Sequence, residues 1–333
     1  MHKKLCLSLH PLRSCSDNPR LRADAAGSVV LNLIIQKTTM LSFLPGFILL
    51  PLSIAMVILN TALVSFLIGI QALLKLLLPV AAIRHVLTRG CNFIMYGWLC
   101  GNALMLRLVN RVEWEIHDTT SLNRNGWHMV ICNHQSWADI VLLGDIFRNR
   151  LPVPKFFLKQ DLLYVPFVGL ACWGLDMPFM RRYTRQQLLK NPALRGKDVS
   201  TAREACAKFR TIPTTVINFV EGSRFTPEKR EETKSPYQHL LTPKPAGLAM
   251  AINVLGDQFE KIVNVTLAYP DNEDRPFHDM LTGRLKRIQV WIEEIPVTEV
   301  QRGDYMKDKP FKRGFQQWLS EVWQRKDQLL NER

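Results

Sequence analysis

The sequence predicts an α/β domain, a sheet flanked by helices, carried behind a membrane-embedded helix or helical hairpin. Three observations support this: an uncharged apolar block from Leu41 to Leu74, short β-rich runs alternating with helical stretches from about residue 111 onward, and a C-terminal apolar stripe at helical spacing. With 47% hydrophobic and 22% charged residues in 333, the composition is that of an ordinary globular chain, which excludes disordered, collagenous and coiled-coil proteins.

Residues 1–39 are polar in places and apolar in others without any period, and Met40 stands directly before the apolar block, so this extension is expected to be dispensable. The block itself runs 34 residues without a charge. As one helix it would be about 51 Å long, against a hydrocarbon core of about 30 Å. The expectation is therefore one long tilted span or a hairpin dipping into one leaflet, with Pro51 or Asn60 as break points. It is too long, and begins too far in, for a cleaved signal peptide. Cys91 to Leu106 is 16 residues, uncharged and mildly polar, which suits an interfacial or packed helix better than a second crossing. Residues 40–110 thus read as membrane-embedded and interfacial helices. From Lys75 to Arg111 there are five basic residues and no acidic one, which places this flank, and the domain after it, in the cytoplasm.

Residues 111–333 read as the α/β domain. Val112–Ile116 alternates like a half-buried strand, and 127–132, 214–219 and 261–267 read as central strands. Ile288, Val290 and Ile292 alternate with Gln289, Trp291 and Glu293 as an edge strand would. Thr226 to Pro245 is charged and holds four prolines, which suggests a loop. Phe315, Trp318, Leu319, Val322 and Trp323 fall on one face of a C-terminal helix and read as core. Core roles are likewise expected for Phe156, Phe157, Trp173 and Phe179.

Lys and Arg number 43 against 29 Asp and Glu, a net charge of +14, so an anionic partner is expected: nucleic acid, an anionic membrane surface, or an acidic or phosphorylated substrate. The positive charge is spread along the chain and no DNA- or RNA-binding signature is evident, so nucleic acid is not the expected partner. Seven cysteines without a C-x-x-C pair indicate neither a disulfide framework nor a zinc site, and no other cluster has metal-ligand spacing. None of Ser136, Ser223, Cys132 and Cys172 sits in a nucleophile elbow or other activating context, which argues against a serine or thiol hydrolase.

Two stretches carry chemistry. Asn133-His134-Gln135-Ser136-Trp137-Ala138-Asp139 joins a strand to an apolar helix, and among the eight histidines His134 alone has an acid at the fifth position after it. A turn entering a helix at that spacing lets Asp139 bond one ring nitrogen and leaves the other to accept a proton. Phe219-Val220-Glu221-Gly222-Ser223-Arg224 ends another strand. Here Gly222 allows close backbone approach, Arg224 offers a forked donor for phosphate, and Glu221 can orient the arginine or a ligand hydroxyl.

Together these stretches resemble the PlsC-type 1-acyl-glycerol-3-phosphate acyltransferase family, whose signatures are N-H-x-x-x-x-D and F-P-E-G-T-R. The first is complete; the second has Val220 for proline and Ser223 for threonine. Between them Lys159 and Leu162 fit the family's K-x-x-L, and Pro166 and Gly169 its P-x-x-G. Asp176 to Arg182 keeps Phe179 and Arg182 of G-x-x-F-I-D-R but lacks its Gly and Asp. The resemblance implies a mixed sheet flanked by helices, His134 as general base and Asp139 as its aiming acid. It further implies Glu221, Gly222, Ser223 and Arg224, with Arg182 and Lys159, at the acceptor's glycerol-phosphate portion. It implies a lysophospholipid acceptor, acyl-CoA or acyl-carrier protein as co-substrate with no further cofactor, a phospholipid bilayer as partner, and a bacterial inner-membrane location.

Overall fold

The computed structural model describes residues 41–78, 80–177, 179–180, 191, 212–256, 258–259, 261–297, 303, 305 and 307–332. The extension 1–39 and Arg182 lie outside the described residues. The apolar block forms one unbroken helix, α1 (Gly46–Leu77), followed by α2 (Ala81–Val109), which contains the Cys91–Leu106 run. Neither expected break point breaks α1. Pro51 sits little more than a turn in, where its missing N–H costs one bond near the helix start. Asn60 is a clasp between the two helices: its Nδ2 donates to Trp98 O at 3.0 Å, while Trp98 Nε1 donates to Thr61 Oγ1 at 3.1 Å.

α1 is long and apolar enough to cross a membrane. One stripe of it, Leu49, Ser53, Val64, Ile68 and Ala72, is buried against protein, whereas Ile58, Leu63, Phe66 and Leu73 face outward. Its start lies against Thr282 and Arg284, and its end against Gly174 and Asp176, so both ends are fastened to the following domain.

That domain is a six-stranded mixed sheet. Its strands are β1 (Glu113–Asp118), β2 (His128–Cys132), β3 (Pro154–Phe156), β6 (Thr215–Phe219), β7 (Lys261–Ala268) and β8 (Arg287–Pro296), in the order β1-β8-β7-β2-β6-β3. Among the described residues, only the β7–β8 pair is antiparallel. Strand β2 lies at the centre with Met129 to Cys132 fully covered, because a parallel strand with helices on both sides must be apolar on both faces. β8 is not at the edge: β1 pairs along its outer side from Glu113–Arg287 to Asp118–Ile292, and its alternation reflects unequal cover on its two faces. A separate two-stranded sheet joins β4 (Leu158–Lys159) to β5 (Phe179–Met180).

Helices α1, α2 and α3 (Ala138–Phe147) pack on one face of the large sheet. On the other face lie α6 (Pro245–Leu255) and α8 (Lys309–Asn331), the latter through Phe315, Leu319, Val322 and Trp323. The stretch from Thr226 is not all loop. Thr226 Oγ1 accepts from Lys229 N at 3.2 Å and caps α5 (Pro227–Thr233), with Pro227 at the first helical position and Lys234 left-handed at its end. A further helix, α7 (Pro276–Leu281), meets the start of α1.

The P-x-x-G block has a packing reason. After a 3₁₀ turn (Gln160–Tyr164) the chain doubles back into α4 (Val168–Gly174), and a Cβ on Gly169 would stand 2.0 Å from Leu163 O. Phe167 takes φ +62 at the corner, a strain of about 1–3 kcal/mol for a non-glycine residue. Gly169→Ala should therefore destabilise the protein by about 1–3 kcal/mol as the backbone shifts to admit the methyl, read as a lower thermal midpoint. An unchanged midpoint would show that the turn relaxes freely. Trp173 on α4 is 40% exposed rather than core.

Candidate active site

β2 and β6 pair in parallel with Cys132 opposite Phe219, so the two motif loops leave the sheet side by side at the carboxyl ends of neighbouring strands, where open α/β sheets bind ligands. The loops are tied together. Phe225 N donates to His134 O at 2.7 Å, and the His134 ring stacks on Phe219 with centroids 4.0 Å apart. Asn133 is buried and fastens its loop to β7, its amide exchanging two 2.9 Å bonds with the Leu267 backbone as a neighbouring strand would.

His134 Nδ1 lies 2.8 Å from Oδ2 of Asp139, which is 0% exposed at the start of α3. The same oxygen accepts from Gln135 N at 2.7 Å and Ser136 N at 3.0 Å, because the intervening turn folds those two N–H groups inward. The other carboxylate oxygen accepts from Tyr269 Oη at 2.5 Å. Two backbone N–H groups and the tyrosine hydroxyl thus point at this side chain, which sits at the N-terminus of a helix. A carboxylate can only accept, so the facing Nδ1 carries the ring proton and Nε2 keeps its lone pair.

Glu221 does not reach for Arg224. Its carboxyl is 0% exposed and accepts two long bonds, from His134 N at 3.4 Å and Leu241 N at 3.3 Å. Burial pushes it up to about 8, and those two N–H groups offset part of the rise. Lys326 of α8 is buried on the same side, donating to Val265 O at 2.5 Å and Thr266 Oγ1 at 3.3 Å, and burial pulls it down to about 8. Glu221 thus holds the His134 loop from beneath, while Gly222, at φ +69, turns the chain outward. Beyond it Ser223 is half-buried and Arg224 is exposed, its guanidinium 4.9 Å above the Trp137 ring. Lys159 lies apart from these residues in the chain's pairing, on β4 opposite Met180.

The raised Glu221 pKa has a measurable sign. With its pKa raised from 4.5 to about 8, Glu221 binds a proton in the folded protein that the unfolded chain has released, so its contribution to stability falls between about pH 4.5 and 8. Glu221→Gln leaves one acceptor oxygen for two N–H groups that now use different oxygens, a cost independent of pH, and removes that dependence. Its thermal midpoint relative to wild type should rise from pH 5 to pH 8, and a constant difference would contradict a protonated Glu221.

Residues 113–269 match the Acyltransferase family model. The matched segment is just under half of the chain. It contains both motif loops, β7 and Tyr269, whereas α1, α2, β8 and α8 lie outside the match. The chain is 24% identical over 217 residues to 1-acyl-sn-glycerol-3-phosphate acyltransferase delta of Mus musculus, covering 61% of this chain and 52% of the relative. It is 23% identical over 240 residues to 2-acyl-1-lysophosphatidylinositol acyltransferase of Saccharomyces cerevisiae, covering 61% and 60%. The chain spans about half the length of the delta-type relatives it matches. Among solved structures, the 1-acyl-sn-glycerophosphate (LPA) acyltransferase PlsC from Thermotoga maritima aligns with TM-score 0.47 and 16% identity, over 86% of this chain and 99% of that one.

Among the described residues, Tyr269, Phe219 and Lys326 are the site residues that motif reasoning missed. Lys326 was visible as a charge at the buried spacing Phe315, Leu319, Val322, Lys326, Leu330. Tyr269 needed the strand order, which sets the end of β7 beside that of β2.

Proposed function

We propose that this chain is a membrane-bound O-acyltransferase that moves a fatty acyl group from acyl-CoA or acyl-carrier protein to the free hydroxyl of a lysophospholipid, with His134 as general base. The acceptor is lysophosphatidic acid or a headgroup-bearing lysophospholipid. The observation that carries the reading is the 2.8 Å bond from His134 Nδ1 to a fully buried Asp139, inside a segment that matches the acyltransferase family. Nε2 takes the acceptor's hydroxyl proton, the oxygen attacks the thioester carbonyl, and the new C–O bond replaces the C–S bond. The proton then passes to the departing thiolate, so no enzyme nucleophile is needed. Arg224, steadied on Trp137, is the proposed donor to the acceptor's phosphate, and Gly222, Ser223, Lys159 and Arg182 are further proposed acceptor contacts. The mouse and yeast relatives named above support the acceptor class.

The proposed location is the cytoplasmic face of a bacterial inner membrane, which the basic run after α1 supports. α1 lies along that face with its outer stripe in the hydrocarbon. A domain fastened to both ends of a helix cannot stand on one side of a bilayer which that helix crosses. To test the reaction, membranes containing the chain are given labelled acyl-CoA or acyl-carrier protein with a panel of lysophospholipids. Diacyl product from one donor–acceptor pair names both substrates; no product from any pair, with folded membrane-bound protein, overturns the proposal.

A further inference from the structure

The corner between the 3₁₀ turn and α4 takes no part in the chemistry above, yet it concentrates exposed apolar side chains. Tyr164 and Phe167 are 76% and 63% exposed, and Val165, Leu170 and Trp173 each stand at least two-fifths open. Five such residues within ten form a patch rather than the scattered apolar exposure of an ordinary surface. The backbone presents them actively. Gly169 packs against Leu163 O and Leu162 O so that the chain can double back, and Phe167 is held at φ +62 with its ring outward in spite of the strain.

The patch continues the outer stripe of α1. Leu170 Cδ2 lies 3.1 Å from where a Cβ on Gly69 would stand, and Gly174 packs on Ile68 and Ala72. The α1 residues around that contact, Phe66, Ile70 and Leu73, are exposed. Arg84 borders the same end: its Nε donates to Lys75 O at 3.1 Å, and the side chain stays exposed, as an anionic headgroup layer would favour. Tyr164 and Trp173 join an apolar body to a polar tip, which suits the boundary between headgroups and hydrocarbon.

We propose that Tyr164–Trp173 is a lipid-immersed surface of the catalytic domain, seated in the same leaflet as α1 at the boundary of headgroups and acyl chains. The proposal rests on the reading of α1 as lipid-facing, and its test separates the two. Phe167→Cys and, independently, Tyr164→Cys carry an environment-sensitive fluorophore on the full chain in phosphatidylglycerol–phosphatidylethanolamine vesicles, with the signal of the parent chain labelled alike subtracted. Leu73→Cys on α1 and Gln324→Cys on the opposite face serve as references. The expected result is loss of emission at 164, 167 and 73 with lipids spin-labelled on the acyl chain, and loss at 324 with aqueous iodide instead. Lipid quenching at 73 with iodide quenching at 164 and 167 would overturn this proposal and leave α1 in the membrane. Iodide quenching at all four sites would overturn both readings. Protection of 164 and 167 from both quenchers would mean that protein, such as a second copy of the chain, covers the patch, and would also overturn it.

Discussion

Replacing His134 with alanine should lower the turnover of acyl transfer by about 10²- to 10⁴-fold, the range that general-base proton removal supplies. The substitution deletes the imidazole while Asp139 keeps its bonds from Gln135 N, Ser136 N and Tyr269 Oη, so the loop retains its shape. The loss should fall on kcat, with the lysophospholipid KM little changed, because the proposed acceptor contacts belong to the neighbouring loop. Initial rates across acceptor concentration, with circular dichroism to check folding, decide the matter. Full activity in a folded His134→Ala protein would remove His134 as the base.

Asp139→Asn should cost about as much, up to roughly 10⁴-fold in kcat by analogy with the aiming acid of Ser-His-Asp systems. The carboxylate faces four donors, three on Oδ2 and one on Oδ1. If the amide oxygen replaces Oδ2, the charge that steadies the imidazolium during proton transfer is gone. If the amide turns over, its N–H points at Nδ1, the ring proton moves to Nε2, and the lone pair that accepts the hydroxyl proton is lost. Each orientation disables the base by a different route while the side-chain volume is kept. The variant should remain folded and bind acceptor, which a KM near that of wild type together with a small kcat would show. A kcat within about threefold of wild type would mean that the loop backbone aims His134 without the acid.

The sequence conveyed the α/β class, the central strands and the His134–Asp139 contact because each depends on local pattern. Four apolar residues in a row at 129–132 can be covered only between two helical layers, and a five-residue gap closes on itself when a turn opens a helix. Other features depended on partners far along the chain. Alternation at 288–292 says that one face is covered better than the other, which is equally true of an edge strand and of a strand beside one, and only the pairing with β1 separates them. The polarity of Asn60 suggested a break until Trp98 supplied its acceptor. α5 was legible in principle, since Thr226-Pro227-Glu228 is a capping residue, a first-turn proline and a first-turn acid. The density of charge and proline over the next twenty residues outweighed it. The proposed tie between Glu221 and Arg224 assumed that motif neighbours touch, whereas the glycine between them sends one inward and the other out.

The pairing of β1 with β8 also bears on how the protein is made. The two strands lie about 170 residues apart in the chain, which at ribosomal rates of about 5–20 residues per second is roughly 10–30 s of synthesis. During that interval α1 and α2 have already emerged, while β1 waits with its ladder groups open and β7 and β8 do not yet exist. The two N-terminal helices are thus complete before the sheet can close. Pauses in translation, or a shortage of chaperones that cover open strands, should reduce the yield of folded protein without changing the stability of the molecules that mature.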